Sequence, residues 1–146
     1  MKSTLQIIVQ LPGGGQTEFS LAAHLSIKKD DRLIEPAFYK DEPPEGPHHE
    51  IEIESPRIWE HEHGAHIHFH RVPGTDRNFV CWTGALRLLR HVEPVVRMWC
   101  LGTAYTMQTG LDFLPEYARD PDTFIERMRD EHNLKITVLE ITPFGF

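Results

Sequence analysis

Apolar and polar positions alternate along residues 4–11 (TLQIIVQL) and, less strictly, along 17–27 (TEFSLAAHLSI). Runs of period two predict strands with one buried face. Pro12 and the three glycines Gly13, Gly14 and Gly15 between them predict a hairpin with a flexible loop. Residues 28–48 are charged, carry Pro36, Pro43, Pro44 and Pro47, and hold one short apolar island at Ala37, Phe38 and Tyr39, which predicts a long loop or lid. From 49 to 72 the strings HEIEIE, RIWEHEH and HIHFHRV, punctuated by Ser55-Pro56 and Gly64-Ala65, predict a three-stranded antiparallel meander. After an irregular stretch at 73–78 the spacing changes. Ala85, Leu86, Leu88, Leu89, Val92, Val96 and Trp99 recur at helical intervals, predicting a helix over 84–100 with a kink at Pro94. A loop follows, rich in small and aromatic residues; then Asp120 as N-cap and Pro121 at the first position predict a second helix to about Asn133. KITVLEI (135–141) predicts a closing strand. The expected fold is a single α+β domain: an antiparallel sheet of five to six strands, built from the hairpin and the meander, with two helices packed on one face.

If both turns of the meander hold two residues, register follows, with 61 opposite 68, 59 opposite 70 and 50 opposite 61. One face then carries Ile51, Ile53, Ile58, Ile67 and Phe69 as core. The other carries His48, Glu50, Glu52, Trp59, His61, His63, His66, His68 and His70. Cross-strand neighbours stand roughly 4.5–5.5 Å apart at Cβ, close enough for two imidazoles and a carboxylate to share a metal. His61, His68 and Glu50 form the first candidate set, with His63, His66 and His70 as alternates. Zinc suits such ligands best, then manganese or iron. The chemistry expected is a metal-polarised water attacking a phosphoester. A solvated sheet face that is merely polar is the plainer reading. Glu60 and Glu62 strain this register, because it sets them among the isoleucines.

Composition sharpens the picture only partly. The chain has 146 residues, with 15 Lys and Arg against 22 Asp and Glu, a formal charge of −7. That length suits one domain. No apolar run is long enough to span a membrane and no leader is evident, so a soluble cytoplasmic protein is expected. The acidity argues against nucleic acid as a partner and leaves a protein partner plausible, which supports a second expectation: a non-enzymatic binding or inhibitor module with an acidic surface. Cys81 and Cys100 lack the spacing of a zinc knuckle or a disulfide framework.

Two resemblances add candidates. HIHFH (66–70) resembles the His-hydrophobe-His motif of the HUH endonucleases, which implies His66 and His68, or His68 and His70, as ligands of a divalent metal and Tyr117 or Tyr105 as nucleophile. The order of meander, His70, irregular loop, Cys81-Trp82 and helix resembles the active-site region of ubiquitin-conjugating (E2) folds, with Arg71 and Val72 where that family has Pro-Asn. It implies a thioester carried on Cys81.

Overall fold

The computed structural model describes residues 2–27, 47–82 and 86–142. Strand β1 (Lys2–Gln10) buries Leu5, Ile7 and Val9 completely and leaves Gln6 exposed, as its alternation requires. It pairs antiparallel with β2 (Gln16–Ser26) in a continuous register from Lys2 opposite His24 to Gln10 opposite Gln16. Leu11 N–H donates to the Gly15 carbonyl at 2.7 Å, and the turn needs φ of 88° and 99° at Gly13 and Gly14, values that only glycine adopts cheaply. The expected hairpin forms.

Beyond β2 lies β3 (His48–Ser55), then two three-residue strands, β4 (Phe69–Arg71) and β5 (Asn78–Val80); β6 (Lys135–Thr142) closes the other edge. All pairings are antiparallel and the sheet order is β4-β5-β3-β2-β1-β6. Helix α1 (Leu89–Thr109) and helix α3 (Phe124–His132) pack their apolar sides on the Leu5, Ile7, Phe19, Leu21 and Ile53 face, with the short α2 (Leu114–Arg119) between them in sequence. The fold is α+β, with the sheet antiparallel as expected and three helices instead of two. The expected loop or lid at 28–48 and the tail Phe144, Gly145 and Phe146 fall outside the described residues, apart from Pro47 and His48.

The meander is the main correction. RIWEHEH is not a strand, and β3 pairs with β2 and β5 in its place. Residues Ile58–Glu60 and Gly64–His66 form two 3-10 turns, closed by bonds such as His61 N–H to the Ile58 carbonyl at 3.1 Å and His66 N–H to the His63 carbonyl at 3.0 Å. The physical reason is the placement of charge. A strand would have carried Glu60 and Glu62 into the core, whereas tight turns bury only Ile58 and Ile67 and leave both glutamates in water. The missed strand, β5, is three buried residues that start on the last residue of the irregular stretch at 73–78.

Helix α1 also runs nine residues past its expected end. Thr103, Ala104, Tyr105 and Thr106 are buried, so the last turns have no polar face to give a periodic signal. Gly102 sits within this stretch because Phe113, 1% exposed, leans on it: a Cβ there would lie 2.4 Å from the ring. Gly102→Ala therefore gains about 1 kcal/mol of helix propensity and loses more, about 1–3 kcal/mol, to overpacking against a ring with no room to retreat. Thermal denaturation of this variant is expected to show a net loss of stability, and an unchanged or raised melting temperature would contradict the packing described.

Candidate functional site

The histidines of 61–70 are divided by the fold. His61 and His63 are half-buried on the two 3-10 turns with ring centroids 5.5 Å apart, and the His63 backbone N–H donates to Nδ1 of His61 at 3.2 Å. The His63 ring lies against Gly110, where a Cβ would meet it at 3.0 Å. His66 is exposed. His68 precedes β4 and its Nε2 lies 2.8 Å from Oδ1 of Asp112. His70 is in β4 opposite Phe79, and burial pushes its pKa down. Glu50 is on β3 and has other partners. Its cross-strand partner is His24, on the face of β2 turned away from the helices, and Ser26 Oγ donates to its Oε1 at 2.9 Å while His48 Nε2 lies 3.4 Å from the same oxygen. The set of His61, His68 and Glu50 is therefore not brought together, because the register that joined them needed a strand at 57–63.

Among the described residues, the ligand atoms of three His, Cys, Asp or Glu side chains gather within 4.8 Å of one another only at Glu116, Glu131 and His132, which the sequence reading did not single out. Those carboxylates already face cations: Arg127 Nη1 is 3.1 Å from Glu116, and Arg119 Nη2 is 3.4 Å from Glu131. A dication would have to displace or tolerate both guanidiniums, so this group fits a salt-bridge network better than a metal centre.

A different site does form where β4, the end of β5, α1 and α2 meet. A cavity of about 350 Å³ is lined by His68, Cys81, Trp82, Met98, Trp99, Phe113, Leu114 and Tyr117. That volume lies within the roughly 300–1,000 Å³ range of small-molecule sites. Three residues singled out for separate reasons, His68, Cys81 and Tyr117, share its wall. The fourth, Tyr105, is 5% exposed with its ring against His132, 4.9 Å between centroids, and belongs to the core.

The imidazole is held from several sides. Trp99 Nε1 donates to the His68 carbonyl at 2.8 Å, Phe113 meets the ring edge-on at 5.4 Å, and Asp112 takes Nε2. Asp112 is the residue that sequence reasoning missed, 44 positions from its partner. Burial alone would raise the Asp112 pKa, but the Leu114 backbone N–H, donating at 2.9 Å, and His68 outweigh it, so the carboxyl is held below its ordinary value. Burial pushes the Cys81 thiol up, leaving it a neutral wall residue at physiological pH and not a primed thiolate.

On the opposite sheet face, Arg77 clamps Glu52 with two bonds of 3.0 and 2.8 Å, and His24 Nε2 lies 2.8 Å from the same carboxylate. The Arg77 bonds hold the Glu52 pKa down against the opposing effect of burial, with His24 adding to them. No family model, curated protein or solved structure matches the chain.

Asp112→Ala removes both the Leu114 cap and the His68 pairing and is expected to cost about 1–2 kcal/mol, whereas Asp112→Asn keeps an oxygen for the cap and costs about half of that. Chemical denaturation of the two variants checks the order, and equal losses would show that the cap carries nothing. Because the Glu52 pKa is lowered on folding, its contribution is complete above the ordinary value near 4.5 and disappears as pH falls through the lower folded value. Glu52→Gln should thus flatten the acid limb of a stability-against-pH curve below about pH 4.5, and a limb of unchanged slope would contradict the clamp.

Proposed function

We propose that the protein binds a small, mainly apolar molecule in the cavity between the sheet edge and helices α1 and α2, with His68 as the acid–base group that meets its polar end. The observation that carries this reading is one imidazole, oriented by a carboxylate, in a mainly apolar wall of aromatic, aliphatic and sulfur side chains, where the Trp82 N–H and the Tyr117 hydroxyl are the other side-chain polar groups beside the committed Trp99 N–H. A concave apolar site with few convergent polar groups is the usual form of a small-molecule site. An imidazole hydrogen-bonded to a carboxylate through one nitrogen has its orientation set and its other nitrogen available for proton transfer. The lining contains no Lys or Arg, and Asp112 adds negative charge behind His68. That composition favours a neutral ligand over the phosphoester expected from sequence. The neutral Cys81 thiol works against a thioester carrier.

The test is direct titration with Nile red, a neutral apolar dye. The chain is expected to bind it at one-to-one stoichiometry, Leu114→Trp at the lip of the cavity to weaken binding about tenfold or more, and Val138→Trp on the distant strand β6 to leave it unchanged. No saturable binding, or equal effects of the two tryptophans, would remove the reading.

A metal-dependent hydrolase is the second reading, supported by the His61 and His63 rings at 5.5 Å. Two donors are in place there, and a zinc, manganese or iron centre needs at least one more, which the described arrangement does not bring within reach. Elemental analysis of untagged protein decides it: stoichiometric metal that is lost in the His61→Ala, His63→Ala double variant would support this reading over the first.

A further inference from the structure

Building on the pocket reading, we infer that its ligand is a neutral aromatic molecule carrying a hydrogen-bond donor, with a phenol-type hydroxyl as the best fit, and that this group donates to Nδ1 of His68.

In a neutral imidazole one nitrogen donates and the other accepts. Nε2 of His68 faces Oδ1 of Asp112 at 2.8 Å, and the same oxygen takes the Leu114 N–H at 2.9 Å. An ionised carboxylate only accepts, so the proton of the neutral ring resides on Nε2. Nδ1 is then an acceptor. No hydrogen bond from any described residue engages it. Asp112 is not part of the cavity wall whereas His68 is, so the polar atom that the ring has left to offer a ligand is this acceptor. A ligand whose polar end can only accept would set lone pair against lone pair there.

The remaining wall selects the body of the molecule. Trp82, Trp99, Phe113 and Tyr117 offer ring edges and faces, and the sulfurs of Met98 and Cys81 make favourable contacts with an aromatic ring. Trp99 has its N–H committed to the His68 carbonyl, so it contributes surface and no donor. Anions are disfavoured on three counts: Asp112 stands behind the imidazole, no Lys or Arg lines the cavity, and the chain carries −7. A neutral phenol meets every condition, because it is aromatic, donates strongly and is uncharged at neutral pH.

Isothermal titration of the full chain at neutral pH with 4-ethylphenol, its methyl ether 4-ethylanisole and 4-ethylbenzoate tests the inference. The phenol and the ether share shape and differ in the donor; the benzoate supplies the anion. The phenol is expected to bind about three- to tenfold more tightly than the ether, the difference one net hydrogen bond makes, and the benzoate to bind most weakly. In His68→Phe the preference should fall to about one while both neutral compounds still bind. In Asp112→Ala, which removes the acceptor that holds the proton on Nε2 and frees the ring to take either tautomer, it should also fall, which keeps a readout should the first variant fail to fold. An ether that binds as well as the phenol, a preference that survives both substitutions, or a benzoate that binds best overturns the donor inference and leaves Nile red binding untouched. If Nile red does not bind either, the pocket reading falls with it.

Discussion

Phe113 seated in the notch at Gly102 is the contact on which the site depends. The ring is 1% exposed, and a single methyl group at Gly102 would stand 2.4 Å from it, so the turn between α1 and α2 can approach helix α1 only where the side chain is hydrogen. Burying a phenylalanine stabilises by roughly 1.5–3 kcal/mol, which adds to the turn's own hydrogen bonds, Leu111 N–H to Thr109 Oγ1 at 3.1 Å and Leu114 N–H to Asp112 Oδ1 at 2.9 Å. Gly110 makes the turn possible by ending α1 at φ 76°, a left-handed conformation that side chains rarely adopt. With Phe113 anchored, its neighbours are positioned by the chain itself: Asp112 reaches His68, and Leu114 reaches the lip of the cavity.

From that anchor the two faces of the sheet take on different work. The helix-bearing face is a continuous apolar core in which Phe19 meets Trp99 edge-on at 6.1 Å, and Trp99 in turn holds the His68 backbone. The pocket is thus an extension of the core to the surface, with one hydrogen-bonded imidazole at its edge. The other face carries charge in pairs, Glu50 with Ser26 and His48, and Glu52 with Arg77 and His24. Five histidines, His24, His48, His49, His63 and His68, have a ring nitrogen within 3.4 Å of an oxygen, so much of the unusual histidine content goes into specific polar contacts within the fold.

The sequence was most readable where period and punctuation agreed. Alternation around Leu5, Ile7 and Val9 with three glycines gave the first hairpin, and Asp120 with Pro121 marked a 3-10 turn (Pro121–Thr123) that leads into α3. It misled at 57–66, where histidines and glutamates alternate in a strand-like rhythm but the chain tightens into turns to keep Glu60 and Glu62 in water. Binary pattern cannot separate these cases, because both leave Ile58 and Ile67 inward. Of the candidate site, His68, Cys81 and Tyr117 were visible as residue types, and their meeting was not. Asp112 carried no local signal: an acidic residue after Gly110 and Leu111 looks like any loop, and only the packing of Phe113 beside it gives it a partner.

In the proposed binding mode this turn delivers a carboxylate to one nitrogen of His68 and thereby leaves the other as an acceptor at the cavity. Long-range ¹H–¹⁵N correlation spectra of histidine-labelled protein, recorded at a pH where the ring is neutral, read the tautomer of His68 directly. A resonance pattern with the proton on Nε2, abolished by Asp112→Ala, is the predicted result. A proton on Nδ1, or an averaged pattern identical with and without the aspartate, would contradict it.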